Sequence, residues 1–263
     1  GNGNGNGNNK DRRSRQSDRL ASERSRLLRI EPALSDLRAL FDPPEDDDGN
    51  KPRPRTNFDV RSEVLDNLVV LRDDPSECGF RPYVRGNDAV EYRMAWAGSD
   101  DAVCALCSGL HNVPLARLDE VFLSAGRGGR VEVLEVIRLL GPFPNVRNTL
   151  VGTAEIEIDN GGGRGKKGLK GGGGGGIKAD RLRIAYDSMI DGTGKEIPAP
   201  QGSRDGVRRV EMDVLYADED WVVCAVPSED EEEDDPLTGV GSRVLLFVRE
   251  RDLDTQLKRL RVA

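Results

Sequence analysis

The amino-acid sequence predicts a mainly β protein, an eight-stranded antiparallel barrel preceded by N-terminal helices. Three observations carry that expectation. From residue 89 onward, short segments alternate apolar and polar residues with the period of two that a half-buried strand requires. Turn chemistry separates them, as in Gly126-Arg127-Gly128-Gly129 and Gly141-Pro142-Phe143-Pro144-Asn145. The connections suit antiparallel neighbours, and this many short strands favour a closed barrel over a sandwich.

Residues 1–15 read as a disordered tail, opened by a Gly-Asn repeat with nothing to bury. Residues 16–42 read as an amphipathic helix, with Leu20, Leu27, Ile30, Leu34, Leu37 and Phe41 on one broad face. Its first half is locally positive, which suits a solvated face or an anionic membrane surface. Glu31-Pro32 is where a kink or break is expected. Residues 43–56 form a linker by composition, and residues 57–252 hold the β domain. A second helix opens that domain, with Val60, Val64, Leu68 and Leu71 on one side. Residues 253–263 are a C-terminal tail or a short closing helix.

The first strand is the clearest: Val90, Tyr92, Met94 and Trp96 alternate with Glu91, Arg93 and Ala95. Strands follow at 118–125, 131–140 and 150–158, then at 181–187 across a long Gly-rich loop. The last three, at 208–216, 221–226 and 243–249, form two hairpin arms. There Val210, Met212, Val214 and Tyr216 alternate with Glu211 and Asp213, Asp218-Glu219-Asp220 marks a turn, and Trp221 opens a continuous apolar run. An eight-stranded barrel is just wide enough to be plugged by its own side chains or to hold one small apolar ligand.

Two insert loops interrupt the domain, at 159–179 and 227–242. The first, rich in glycine and lysine, departs from a phosphate-binding loop because Gly165-Lys166 is followed by lysine rather than serine or threonine, and no helix follows. The second contains an unbroken acidic run, 229–235, that lacks the spaced ligands and turn glycine of a calcium loop. That run accounts for most of the net charge of −8, so the rest of the chain is nearly neutral and nucleic acid is not expected as a partner. No apolar segment is long enough to span a bilayer as a helix. Four cysteines do not make a disulfide scaffold, and reduced thiols are expected.

Cys104 and Cys107 have the two-residue spacing of redox motifs and zinc knuckles, and His111, the chain's single histidine, follows closely. These three are a weak metal candidate, because no second ligand pair accompanies them and the strand-to-helix context of a dithiol redox site is missing. Structural cysteines are the expectation. No nucleophile motif surrounds the histidine, so no catalytic residues are assigned. Tyr92, Met94, Trp96, Phe122, Tyr186, Tyr216, Trp221 and Phe247 fall within proposed strands and are assigned to the barrel interior. There they would line an apolar ligand site or form an ordinary core.

The order of these features resembles the plastid lipid-associated protein (fibrillin) family over residues 57–251. The resemblance rests most on Val214-Leu215-Tyr216-Ala217-Asp218-Glu219-Asp220-Trp221 and on Val244-Leu245-Leu246-Phe247-Val248-Arg249-Glu250. Tyr92-Arg93-Met94-Ala95-Trp96, Phe143-Pro144-Asn145-Val146 and Leu182-Arg183-Ile184-Ala185-Tyr186 add to it. The acidic insert stands where the family has an Arg-Gly turn, and the Gly-rich loop is an addition. The resemblance implies a lipocalin-like barrel in the plastid, peripheral to thylakoid membranes on the stromal side. It implies binding of a lipid, carotenoid or quinone, with no required cofactor and no catalysis. The alternative is a structural or assembly subunit of a photosystem or light-harvesting complex, its barrel filled by side chains. An enzyme on the same fold ranks last, for want of a clustered set of polar interior residues.

Overall fold

The computed structural model describes residues 7–41, 58–74, 80, 89–141, 144–158, 180–200, 205–227, 237 and 242–262. The two insert loops lie almost wholly outside them, and so does Cys78. The chain divides into two compact units, Gly1–Ser76 and Glu77–Ala263.

The first unit is helical. Helix α1 (Gly7–Phe41) begins inside the stretch that composition assigns to a tail and continues through Pro32 without a break. Ile30, Leu34 and Leu37 are buried, as the spacing predicts, and Ala33 is buried beside them, whereas Leu27 is exposed. Helix α2 (Arg61–Arg72) packs against α1 and buries Val64, Leu68 and Leu71. Arg26 clasps Asp74 with Nε 2.9 and 2.7 Å from the two carboxylate oxygens, tying α1 to the end of α2.

The second unit is antiparallel β. Its strands are β1 (Val90–Ala97), β2 (Ala116–Ala125), β3 (Arg130–Leu139), β4 (Val146–Glu157), β5 (Asp180–Ile190), β6 (Glu196–Pro198), β7 (Arg208–Ala217), β8 (Trp221–Ala225) and β9 (Val244–Glu250). All eight segments read from the alternation are strands, and β6 is an addition. The sheet order β4-β3-β2-β1-β9-β8-β7-β5-β6 is completed by pairing of β4 with β5. Eight strands therefore close in a ring, and β6 pairs with β5 alone.

Closure places one contiguous core on the inner face. Val121, Leu123, Val131, Val133, Leu150, Leu182, Ile184, Val210, Met212 and Phe247 belong to it. Each such side chain contributes about 1.5–3 kcal/mol on burial. Phe80 joins them, its ring 5.9 Å from that of Tyr92. At Gly152 a side chain is impossible without moving backbone, because a Cβ would collide with the carbonyl oxygen of Ala185 and come within 2.8 Å of Tyr186 Cα. The glycine stands beside the bulge that lets β5 close on β4.

Two further helices belong to this unit. Helix α3 (Asp100–Leu106) follows β1, and helix α4 (Leu253–Val262) follows β9. Asn145 and Arg147, at the start of β4, donate to the Leu260 and Leu257 carbonyls of α4 at 2.9 and 2.5 Å, and the Leu260 carbonyl is one that the helix C-terminus leaves open.

Candidate functional site

Helix α3 was not legible as a helix in the alternation. Its start is nevertheless conventional: the Ser99 hydroxyl accepts the Ala102 N–H at 3.3 Å, and Asp100 and Asp101 occupy the positive first turn. Ala102, Val103 and Leu106 belong to the inner core, so the helix packs against the end of the ring where β1 stops. At that same end the inner phase of four strands turns polar. Glu135 follows Val131 and Val133, and Asn148 precedes Leu150. Tyr186 follows Leu182 and Ile184, and Arg208 precedes Val210 and Met212. Glu135 faces Asn148 across β3 and β4, and Tyr186 faces Arg208 across β5 and β7. All four are buried.

These residues hold α3 in place. The Arg208 guanidinium donates to the carbonyls of Cys104, Ala105 and Cys107 at 2.7, 2.8 and 2.5 Å. A cation at the negative end of a helix, bonded to its open carbonyls, is favoured by charge and by hydrogen bonding together. Glu135 accepts the Ser108 main-chain N–H and, at 2.6 Å, the Ser108 hydroxyl. The Cys107 thiol faces this cluster, and burial first, then the Glu135 charge, push its pKa well above the ordinary thiol value. Tyr186 is fully buried, and desolvation raises its pKa strongly; Cys107 and Glu135 act in the same direction and Arg208 against it. A charge on either group would sit in a low-dielectric interior, so both remain neutral across the physiological range.

Among the described residues, the Tyr186 hydroxyl and the Asn148 side-chain N–H₂ are buried with no hydrogen-bond partner. Both can donate. Buried polar groups are nearly always satisfied, so two orphans at one end of an apolar interior mark where an acceptor would be bound.

The eight aromatic and methionine positions assigned to the interior divide into two sets. Tyr92, Tyr186 and Phe247 are in the inner core, and Met94 packs against it. Trp96, Phe122, Tyr216 and Trp221 are buried but lie on the opposite face, which corrects their assignment to the interior. A bulge between Met94 and Trp96 reverses the alternation, pairing Met94 with Phe247 but Trp96 with Leu246. A second bulge, between Val214 and Tyr216, does the same to Tyr216, which pairs with Val223. Phe122 falls between the inward Val121 and Leu123, and Trp221 precedes the inward Val222. Tyr216 instead fixes the β7–β8 turn: its hydroxyl donates to Asp218 Oδ2 at 2.7 Å, while Asp218 Oδ1 accepts the N–H groups of Asp220 and Trp221.

The three metal-candidate residues also part. Cys104 and His111 meet, with Sγ 3.7 Å from Nε2, whereas Cys107 is wholly buried against the polar cluster. Among the described residues no three potential ligands gather into a metal site.

The loop that follows α3 carries Leu110, Val113 and Leu115 to the surface, and Leu140 joins them by donating its N–H to the Leu115 carbonyl at 2.8 Å. Leu115 has φ 69°, a left-handed conformation that costs a leucine about 1 kcal/mol or more.

Comparison with protein-family models, with curated proteins and with solved structures gives no match for this chain.

Proposed function

We propose that the chain is a non-catalytic member of the plastid lipid-associated (fibrillin) type. In this reading it is a lipocalin-like barrel, peripheral to the stromal side of thylakoid membranes, that binds a hydrophobic molecule such as a lipid, carotenoid or quinone. The observation that carries the reading is the orphaned Tyr186 hydroxyl at one end of an apolar interior. It calls for a ligand that is apolar along its length and ends in a hydrogen-bond acceptor. The exposed Leu110, Val113, Leu115 and Leu140 at the same end suit contact with a lipid surface, and exposed Arg117 beside them suits anionic headgroups. The plastid and thylakoid assignments rest on the sequence resemblance.

A specific observation favours a second reading, a structural or assembly subunit of a photosystem or antenna complex. Phe80, Tyr92, Tyr186 and Phe247 are all fully buried in the inner core, as expected of a barrel filled by its own side chains. Titration with cis-parinaric acid, a fluorescent apolar carboxylate, decides between them. The first reading expects saturable one-to-one binding, and displacement by lipids extracted from the purified protein. Absence of saturable binding, with co-migration of the chain with a photosystem or antenna complex on a native gel, would support the second reading instead.

A further inference from the structure

The α3 cap presents a group that the interior site does not use. Cys104 sits on α3, partly exposed, with its Sγ 3.7 Å from His111 Nε2 and accepting the Asn112 side-chain N–H₂ at 3.0 Å. An imidazole nitrogen beside a thiol is placed to take its proton, and an amide donor on the sulfur favours the anion that results. Arg208, bonded to the Cys104 carbonyl, fixes the helix turn that carries the thiol. Cys107 and Cys224 are fully buried and face the core, so among the described cysteines only Cys104 meets solvent.

The arrangement differs from an acyl-transfer triad in one decisive way. Asn112 contacts the sulfur and not the imidazole, and His111 Nδ1 has no partner among the described residues. Among the described residues nothing orients the ring as a triad's third member would. It differs from a dithiol redox pair as well. The Cys107 thiol is enclosed with Glu135, and burial holds it protonated, so it is not available to resolve a disulfide formed at Cys104.

We propose that Cys104 is a site of reversible thiol–disulfide exchange, assisted by His111, with a small-molecule disulfide as the oxidant. As the Cys104 sulfur attacks one sulfur of the disulfide, its proton passes to His111 Nε2. A new S–S bond forms to Cys104, the old one breaks, and the departing thiolate takes the proton from the imidazole. One disulfide is consumed, and one mixed disulfide and one free thiol are produced. A second thiol reverses the reaction by attack on the mixed disulfide. The chemistry is independent of what the interior binds.

The test uses the full chain with Cys78→Ser, so that the remaining cysteine outside the described residues does not compete. The protein is incubated with glutathione disulfide at neutral pH, and modified peptides are mapped by mass spectrometry. One glutathionyl group is expected on Cys104, with Cys107 and Cys224 unmodified until denaturant is added. His111→Ala is expected to slow the exchange roughly tenfold at neutral pH. Its pH–rate profile should then differ from that of the parent, with the deficit removed when imidazole is added to the solution. Circular dichroism melting of His111→Ala against the parent identifies any slowing that arises from unfolding. The proposal is overturned if folded His111→Ala reacts at the parental rate with the parental pH profile. It is equally overturned if Cys107 or Cys224 reacts as fast as Cys104, or if the product is a Cys104–Cys107 disulfide.

Discussion

Arg208→Met is expected to lower the unfolding free energy by about 3 kcal/mol, read as a shift in the urea midpoint with little change in slope. Three charge-assisted hydrogen bonds to the α3 carbonyls disappear. Each is of the class that contributes about 1.5–3 kcal/mol, and relief of the cation's desolvation offsets part of the sum. Methionine keeps an apolar stem in the same place, so lost packing adds little. Amide exchange should rise in α3 while the strands stay protected, because the helix loses its anchor and the ring keeps its pairings. A change below about 1 kcal/mol would mean that the α3 carbonyls find other donors and that Arg208 does not hold the cap.

Alkali should destabilise the fold more steeply than exposed groups alone would. Cys107 and Tyr186 are acids whose pKa values rise on folding, from ordinary values of 9.0 and 10.0. Above those values the unfolded chain releases a proton that the folded chain retains. The unfolded state then binds fewer protons than the native state, and stability falls as pH rises. Below pH 9 neither group contributes a slope. Tyr186 costs about 1.4 kcal/mol per pH unit once its unfolded form ionises, and Cys107 adds to the loss in the same direction from its lower ordinary value upward. Tyr186→Phe should abolish the part that begins at pH 10 and leave the thiol part in place. A stability that is flat between pH 9 and 11 in urea unfolding would show that both groups ionise in the folded protein.

The period-two pattern carried the strand segments because inside and outside alternate in a closed sheet, and Val131, Val133, Leu182, Ile184, Val210 and Met212 all obey it. What it could not carry is the phase across a bulge. A single extra residue near Trp96 and near Tyr216 exchanged the two faces, and no residue at either place announces the bulge. The run from Trp221 to Ala225 is buried throughout, so its composition says nothing about which side chains face the core. The polar cluster was hidden for a different reason: Cys107, Glu135, Asn148, Tyr186 and Arg208 are far apart in sequence, and only the topology gathers them. A signal was nevertheless present. Glu135, Asn148 and Arg208 each occupy the apolar phase of their strand, where a polar residue requires a buried partner. Ser99 followed by two aspartates is likewise the signature of a helix start, which a search for period-two alternation passes over.

The most direct test of an acceptor-binding interior is a paired measurement on Tyr186→Phe, of stability without ligand and of cis-parinaric acid affinity. If the hydroxyl is an orphan awaiting an acceptor, its removal should stabilise the ligand-free protein by about 1–3 kcal/mol, the cost of a buried unsatisfied polar group. The same substitution should weaken the probe's Kd about fivefold to tenfold, the loss of one hydrogen bond. A less stable protein with unchanged affinity would contradict this, because it would make the hydroxyl part of the packing and not part of a binding site.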